Sequence, residues 1–123
     1  KTVAICPVSL TGLSCDVSTI NKLANFKNYR KEKIKVIYDN AIGMGFEFKH
    51  KKVGGSGYAN IFSLHGQKLL TTLGEGGAIY VKNNRLAGAV KGLRHNGHRP
   101  YSTKRKHYWK QAMGNLELDI KDV

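Results

Sequence analysis

Two short apolar runs flank an amphipathic stretch at the start of this chain, and few folds accommodate that order. Thr2 to Leu10 reads as a buried strand with Val3-Ala4-Ile5-Cys6 at its centre. Gly12 then opens a loop, and Asp16 stands where a helix N-cap is wanted. Val17, Ile20, Leu23, Ala24 and Phe26 recur at helical spacing. A charged connection from Arg30 to Lys33 leads to a second β-branched run, Ile34 to Tyr38. Strand, helix, strand makes a βαβ unit, whose crossover allows the two strands to lie parallel. Asp39 then falls at the carboxyl end of a parallel strand, where open α/β sheets gather their ligands. An aspartate there can equally cap a helix or form a turn.

The pattern continues in short elements. Phe46-Glu47-Phe48-Lys49 alternates, and Lys51-Lys52-Val53-Gly54-Gly55 follows, as in a hairpin with a glycine-rich exit. Tyr58 to Leu64 and Ala78 to Val81 read as two more strands. Asn83 or Asn84 can cap a helix carrying Leu86, Ala87, Val90 and Leu93, with Gly97 as its end. From His98 to Lys110 the chain is basic and aromatic without a clear period.

The chain has 123 residues, enough for one modest domain, and 21 Lys and Arg against 8 Asp and Glu. So basic a chain attracts anions such as phosphates, acidic sugar nucleotides or nucleic acid. Cys6 and Cys15 stand nine apart, outside any CxxC spacing, and are expected as free thiols in a reducing cytosol. No stretch reaches the roughly 20 apolar residues of a membrane span. The first residues lack signal-peptide architecture and an initiator methionine, and both ends are expected to be cut from something longer.

Lys68 carries the chemical interest. It follows Asn60 to Gln67 just past an apolar run, five residues after Ser63. A lysine held near a serine beyond a buried strand can form a Schiff base with an aldehyde cofactor, and Asp39 can serve the same cofactor. Alone, Lys68 also reads as one of many solvated lysines. Gly74-Glu75-Gly76-Gly77 lacks the lysine and hydroxyl of a phosphate loop and reads as a tight turn into the next strand. His95 and His98 lie three apart with no third ligand at zinc spacing, so no metal site is expected.

Taken in order, Ile37-Tyr38-Asp39-Asn40-Ala41, Lys52-Val53-Gly54, Phe62 to Lys68, Thr71-Thr72 and Gly74 to Gly77 resemble the DegT/DnrJ/EryC1/StrS family. Pro7 to Leu10 with Gly12, Cys15 and Asp16, and Leu93 to Gly97, resemble it as well. Members are pyridoxal-phosphate-dependent aminotransferases acting on nucleotide-linked keto sugars. The resemblance implies an α/β fold: residues 1–123 as a partial large, cofactor-binding domain of fold type I, with a mostly parallel sheet and flanking helices. The family's N-terminal part and C-terminal small domain then lie outside the segment. Lys68 would be the Schiff-base lysine and proton carrier. Asp39 would pair with the cofactor's pyridine nitrogen, keeping the ring protonated as an electron sink. Ser63 would contact the cofactor phosphate, and His65 would line the site. The implied amino donor is glutamate, the implied assembly a cytoplasmic homodimer with its site at the dimer interface, and neither membrane nor nucleic acid is expected as a partner.

Two departures stand out. Many members carry Gln or His three residues after the aspartate, where this chain has Ile42. The segment from Lys68 to Gly77 is one residue longer than in many relatives. With much of the pocket outside the segment, the fragment alone is expected to be a poor catalyst. Three other readings compete. Sugar dehydratases of the family replace the lysine with histidine, and Lys68 argues against them. A basic nucleic-acid-binding module would rest on the charge and on Arg94 to Lys110, and leaves Asp39, Ser63 and Lys68 unexplained. The last is a non-catalytic remnant of the family.

Overall fold

The computed structural model describes residues 2–27 and 31–94. They fall into two compact units, residues 1–80 and the part beginning at Val81. The first unit holds β1 (Ala4–Ile5), α1 (Val17–Ala24), β2 (Lys35–Asp39), β3 (Glu47–Phe48), β4 (Lys51–Lys52), β5 (Ala59–Ser63) and β6 (Gly77–Tyr80). The second holds α2 (Asn84–Arg94). The main sheet has the order β1-β2-β5-β6. β1 and β5 run parallel to β2, and β6 runs antiparallel to β5. The fold is therefore α/β with a mostly parallel sheet.

The first strand is shorter than its apolar run suggests. Pairing with β2 covers only Ala4 and Ile5, and contact resumes at a single bridge from Val8 to Asp39. Pro7 lies between and has no N–H to give to a ladder. Its carbonyl still accepts from Asp39 N–H at 2.9 Å, and Ser9 N–H donates to Asp39 O at 3.0 Å. Thr11 and Gly12, with φ of 52° and 82°, turn the chain away.

Asp16 starts α1 as expected. Its Oδ1 accepts from Thr19 N–H at 3.0 Å, and the Ser18 and Thr19 hydroxyls donate to the same carboxylate. These bonds, the backbone one foremost, hold the Asp16 carboxyl down at about 2. A carboxyl depressed in the folded state stabilises fully above its ordinary value of 3.8, and loses that contribution as pH falls through about 2. Asp16→Asn keeps the capping oxygen but cannot titrate. Thermal melts should give Asp16→Asn a lower midpoint than the wild type at neutral pH, with the gap closing as pH falls through this acid window, because only the wild type has the charge to lose.

β2 builds the core by alternation. Val36, Tyr38 and the following Asn40 are buried, while Ile37 and Asp39 between them are half-buried. Val36 and Tyr38 pack with Ala24, Cys15, Val17, Ile20 and Ile34, so α1 covers one face of β2. Burying a side chain as large as Tyr38 contributes about 2 kcal/mol. Its hydroxyl donates to Asn21 Oδ1 at 2.9 Å, which ties the strand to the helix. Burial first, then the charges of Cys15 and Asp16, push this phenol up to about 12, so it remains a donor. The other face carries exposed Ile61 and Ile79.

The hairpin forms where expected, with an unexpected turn. Lys49 and His50 connect β3 to β4 with φ of 50° and 60°. Left-handed geometry at both central residues matches strand twist and is usually supplied by Asn-Gly. In α2, Asn83 is the cap: its Oδ1 accepts from Leu86 N–H at 3.0 Å. Leu86, Ala87 and Val90 are half-buried as the spacing predicts. Leu93 is exposed, and Gly92 takes the buried place instead. The expected helix end at Gly97, the charged connection at Arg30, the His95–His98 pair and most of the basic stretch from Arg94 to Lys110 lie outside the described residues.

Candidate active site

Asp39 closes β2 and Ser63 closes β5. The strands are parallel, so both residues stand at the carboxyl edge of the sheet. Asp39 pairs in register with Ile61, and Ser63 lies two residues further on, which puts Asp39 and Ser63 on the same face. Usual strand spacing and rise set their Cα atoms roughly 8 Å apart.

Asp39 is held by its backbone on both sides. It bonds Pro7 and Ser9 toward β1, and the next residue, Asn40, donates its N–H to Ile61 O at 2.9 Å. Its Oδ1 accepts from Ala41 N–H at 3.0 Å, an Asx turn. Among the described residues, Oδ2 has no hydrogen-bond partner. Ser63 Oγ accepts from His65 N–H at 3.3 Å, which leaves the hydroxyl hydrogen able to donate elsewhere.

Lys68 sits in the loop that joins β5 to β6. The loop is stitched across its base: Leu64 N–H donates to Gly76 O at 2.8 Å, and Thr72 N–H to Leu64 O at 3.0 Å. The Thr72 hydroxyl reaches Leu64 O and Glu75 O. His65 Nδ1 accepts from Gln67 N–H at 3.1 Å, and Nε2 lies 3.4 Å from Glu75 Oε1. A neutral His65 therefore carries its proton on Nε2, toward Glu75. Lys68 N–H donates to His65 O at 2.9 Å, and Lys68 is half-buried. Gly74 to Gly77 make the expected turn, though not through left-handed backbone. A Cβ on Gly76 would collide with the Thr72 hydroxyl, so the glycine is there for close approach.

The structure thus brings Asp39 and Ser63 onto one face, and hangs His65 and Lys68 from the loop leaving that edge. Ile42 lies in the turn closed by Gly43 N–H to Asn40 O, and offers no polar group. Residues without an expected role appear behind Asp39. Ser9, Asn40 and Asn60 are all buried and hydrogen-bonded in series. A signal for two of them exists in the sequence: Asn40 and Asn60 fall at inward positions by strand alternation. A cavity of about 100 Å³ lies on their side, lined by Tyr38, Asn40, Phe48, Val53 and Asn60 among others, and none of Asp39, Ser63 or Lys68 lines it. No cluster of metal-ligating side chains occurs among the described residues. No helix among them is long and apolar enough to cross a membrane.

Residues 1–119 match the DegT/DnrJ/EryC1/StrS aminotransferase family. The chain belongs to this family. It is similar to the GDP-perosamine synthase of Caulobacter vibrioides, with 36% identity over 93% of this chain and 28% of that protein. It is also similar to the UDP-4-amino-4,6-dideoxy-N-acetyl-beta-L-altrosamine transaminase of Helicobacter pylori, with 34% identity over 79% of this chain and 24% of that one. Among solved structures it resembles a protein described as a sugar aminotransferase of Streptococcus pneumoniae, in its PLP form. The TM-score there is 0.58 at 29% identity, covering 68% of this chain and 24% of the other. This DegT-family segment spans roughly a quarter of the length of the curated relatives it matches. Those relatives are transaminases and synthases of nucleotide-linked amino sugars, as the sequence motifs imply.

Proposed function

We propose that the segment is the central part of the large domain of a pyridoxal-phosphate-dependent aminotransferase. In this reading the longer polypeptide moves an amino group, with glutamate as donor, onto a keto group of a nucleotide-linked sugar, as a cytoplasmic homodimer. The observation that carries it is the shared sheet face: a carboxylate oxygen on Asp39 and a hydroxyl hydrogen on Ser63 that no described residue engages, with Lys68 on the loop leaving that edge.

The donor set fits the cofactor. Asp39 Oδ2 is free to accept a ring-nitrogen proton, because Oδ1 is already occupied by Ala41 N–H. Ser63 keeps its hydroxyl hydrogen for a phosphate oxygen. Lys68 offers the amine for the cofactor's carbonyl, and His65 stays close through the bond between its carbonyl and Lys68 N–H. Bound pyridoxal phosphate supplies an electron sink for the charge left when a carbon loses its proton. Asp39 stabilises positive charge on the ring, and Lys68 carries the proton at Nζ. The glycine-stitched loop base limits how far Lys68 can stray. Support for a sugar nucleotide comes from the relatives, whose names specify GDP- and UDP-linked sugars.

Lys68→Ala tests this reading. The longer polypeptide carrying the segment should acquire a visible absorption band with pyridoxal phosphate. After borohydride reduction, mass mapping should find the cofactor on Lys68. Lys68→Ala should show neither, and its turnover should drop by about 10²–10⁴-fold from loss of the proton carrier alone. Label on another lysine, or a band that survives the substitution, sinks the assignment.

A further inference from the structure

We propose that Ser9, Asn40 and Asn60 form a buried polar strut that sets the direction of the Asp39 carboxylate. The proposal rests on the reading of Asp39 as the residue that meets the cofactor's ring nitrogen. The three side chains are 1%, 2% and 2% exposed. Ser9 Oγ donates to Asn40 Oδ1 at 2.8 Å, Asn40 Nδ2 to Asn60 Oδ1 at 3.2 Å, and Asn60 Nδ2 to Ser56 O at 2.7 Å. The series crosses the segment after β1, the end of β2, and β5. Among the described residues, no buried side-chain nitrogen or oxygen lacks a partner.

A strand interior more readily takes apolar side chains, because buried amides stabilise only when every bond is made. Apolar filler would pack, but it would not fix a torsion. This series does. Asn40 stands beside Asp39, and its side chain points to the opposite face. Gly43 confines it on one side: a Cβ there would lie 3.1 Å from both Asn40 Cβ and Oδ1. On another side lies the cavity of about 100 Å³, lined by Asn40 and Asn60. Without its two bonds, the Asn40 amide has room to swing into that space.

The consequence reaches Asp39 through the backbone. Ser9 grips twice, with its N–H on Asp39 O and its hydroxyl on Asn40 Oδ1. Fixing Asn40 fixes the peptide that follows, and so the direction of Ala41 N–H. That N–H holds Asp39 Oδ1. With Oδ1 engaged, Oδ2 is the oxygen left to face the cofactor. Ser9, Asn40 and Asn60 touch neither substrate nor cofactor in this scheme; they are positioning residues.

Ser9→Ala in the longer polypeptide provides the test. Without cofactor, side-chain scalar couplings of Asp39 should report one rotamer in the wild type and averaging in Ser9→Ala. With pyridoxal phosphate, the variant's Kd should rise roughly tenfold, as for loss of one buried hydrogen bond. The pH midpoint of the visible band should shift, because the ring-nitrogen proton is held less firmly. A variant that loses thermal stability yet keeps the wild-type rotamer, Kd and pH midpoint overturns the proposal and makes the series purely structural. If Ser9→Ala fails to fold, Asn60→Ala, which vacates space beside an existing cavity, carries the same comparison. If the wild type binds no cofactor, the reading of the site fails, while the Asp39 rotamer still decides whether the strut exists.

Discussion

Asp39→Asn is expected to lower turnover by roughly two to three orders of magnitude while leaving the fold in place. Asparagine keeps the oxygen that accepts from Ala41 N–H, so the Asx turn at the end of β2 survives. The backbone bonds of position 39 to Pro7 and Ser9 do not involve the side chain and survive as well. What disappears is the negative charge on the oxygen facing outward. In the proposed reading a neutral amide could not hold a proton on the cofactor's pyridine nitrogen, and the ring would lose much of its capacity to accept electrons. Steady-state turnover of a nucleotide-linked keto sugar measures the effect, with the thermal midpoint as the control. Near-wild-type turnover in a folded Asp39→Asn protein would remove Asp39 from the chemistry. Asp39→Ala should be worse, because it also unties the turn.

Gly57→Ala is expected to destabilise the protein by about 3 kcal/mol. Gly57 has φ of +78°, which costs any residue with a Cβ about 1–2 kcal/mol. A Cβ there would also lie 2.7 Å from Tyr38 Cε2 and 2.9 Å from Val36 O. Neither neighbour can move cheaply. The Tyr38 ring is buried and its hydroxyl is bonded to Asn21, and Val36 O accepts from Tyr58 N–H at 2.7 Å. Gly55, two residues earlier, has open space around its Cβ position, and its φ lies outside the left-handed region. Gly55→Ala should therefore be neutral to slightly stabilising. Thermal or urea denaturation of the two variants side by side checks the contrast. Equal midpoints would contradict the packing of Gly57 against Tyr38.

Much of the fold was legible because its signals are local. Asp16 lies three residues before the N–H it caps, and α1 follows from residues spaced three and four apart. β2 shows its alternation within five residues, so Asp39 at its end could be placed before any partner strand was known. The run from Tyr58 to Leu64 marks β5, although the structure ends that strand at Ser63. β1 is shorter than its apolar character implies, because Pro7 interrupts the ladder. Spacing alone places Leu93 on the covered stripe of α2, yet it is exposed while Gly92 is buried.

The sequence by itself determined the order of elements, the Asp16 cap of α1 and the strand end that carries Asp39, since each depends on residues within a turn or a strand. The tertiary structure decided what requires register between segments far apart in the chain. Asp39 and Ser63 share a face because β2 pairs with β5 in parallel, Asp39 opposite Ile61. Ser9, Asn40 and Asn60 meet only once three separate stretches come together, and no period in the chain records that meeting. Gly57 is required in part by Tyr38, which approaches it from β2, a strand earlier in the chain, so that share of its necessity is a property of packing and adds to its left-handed φ.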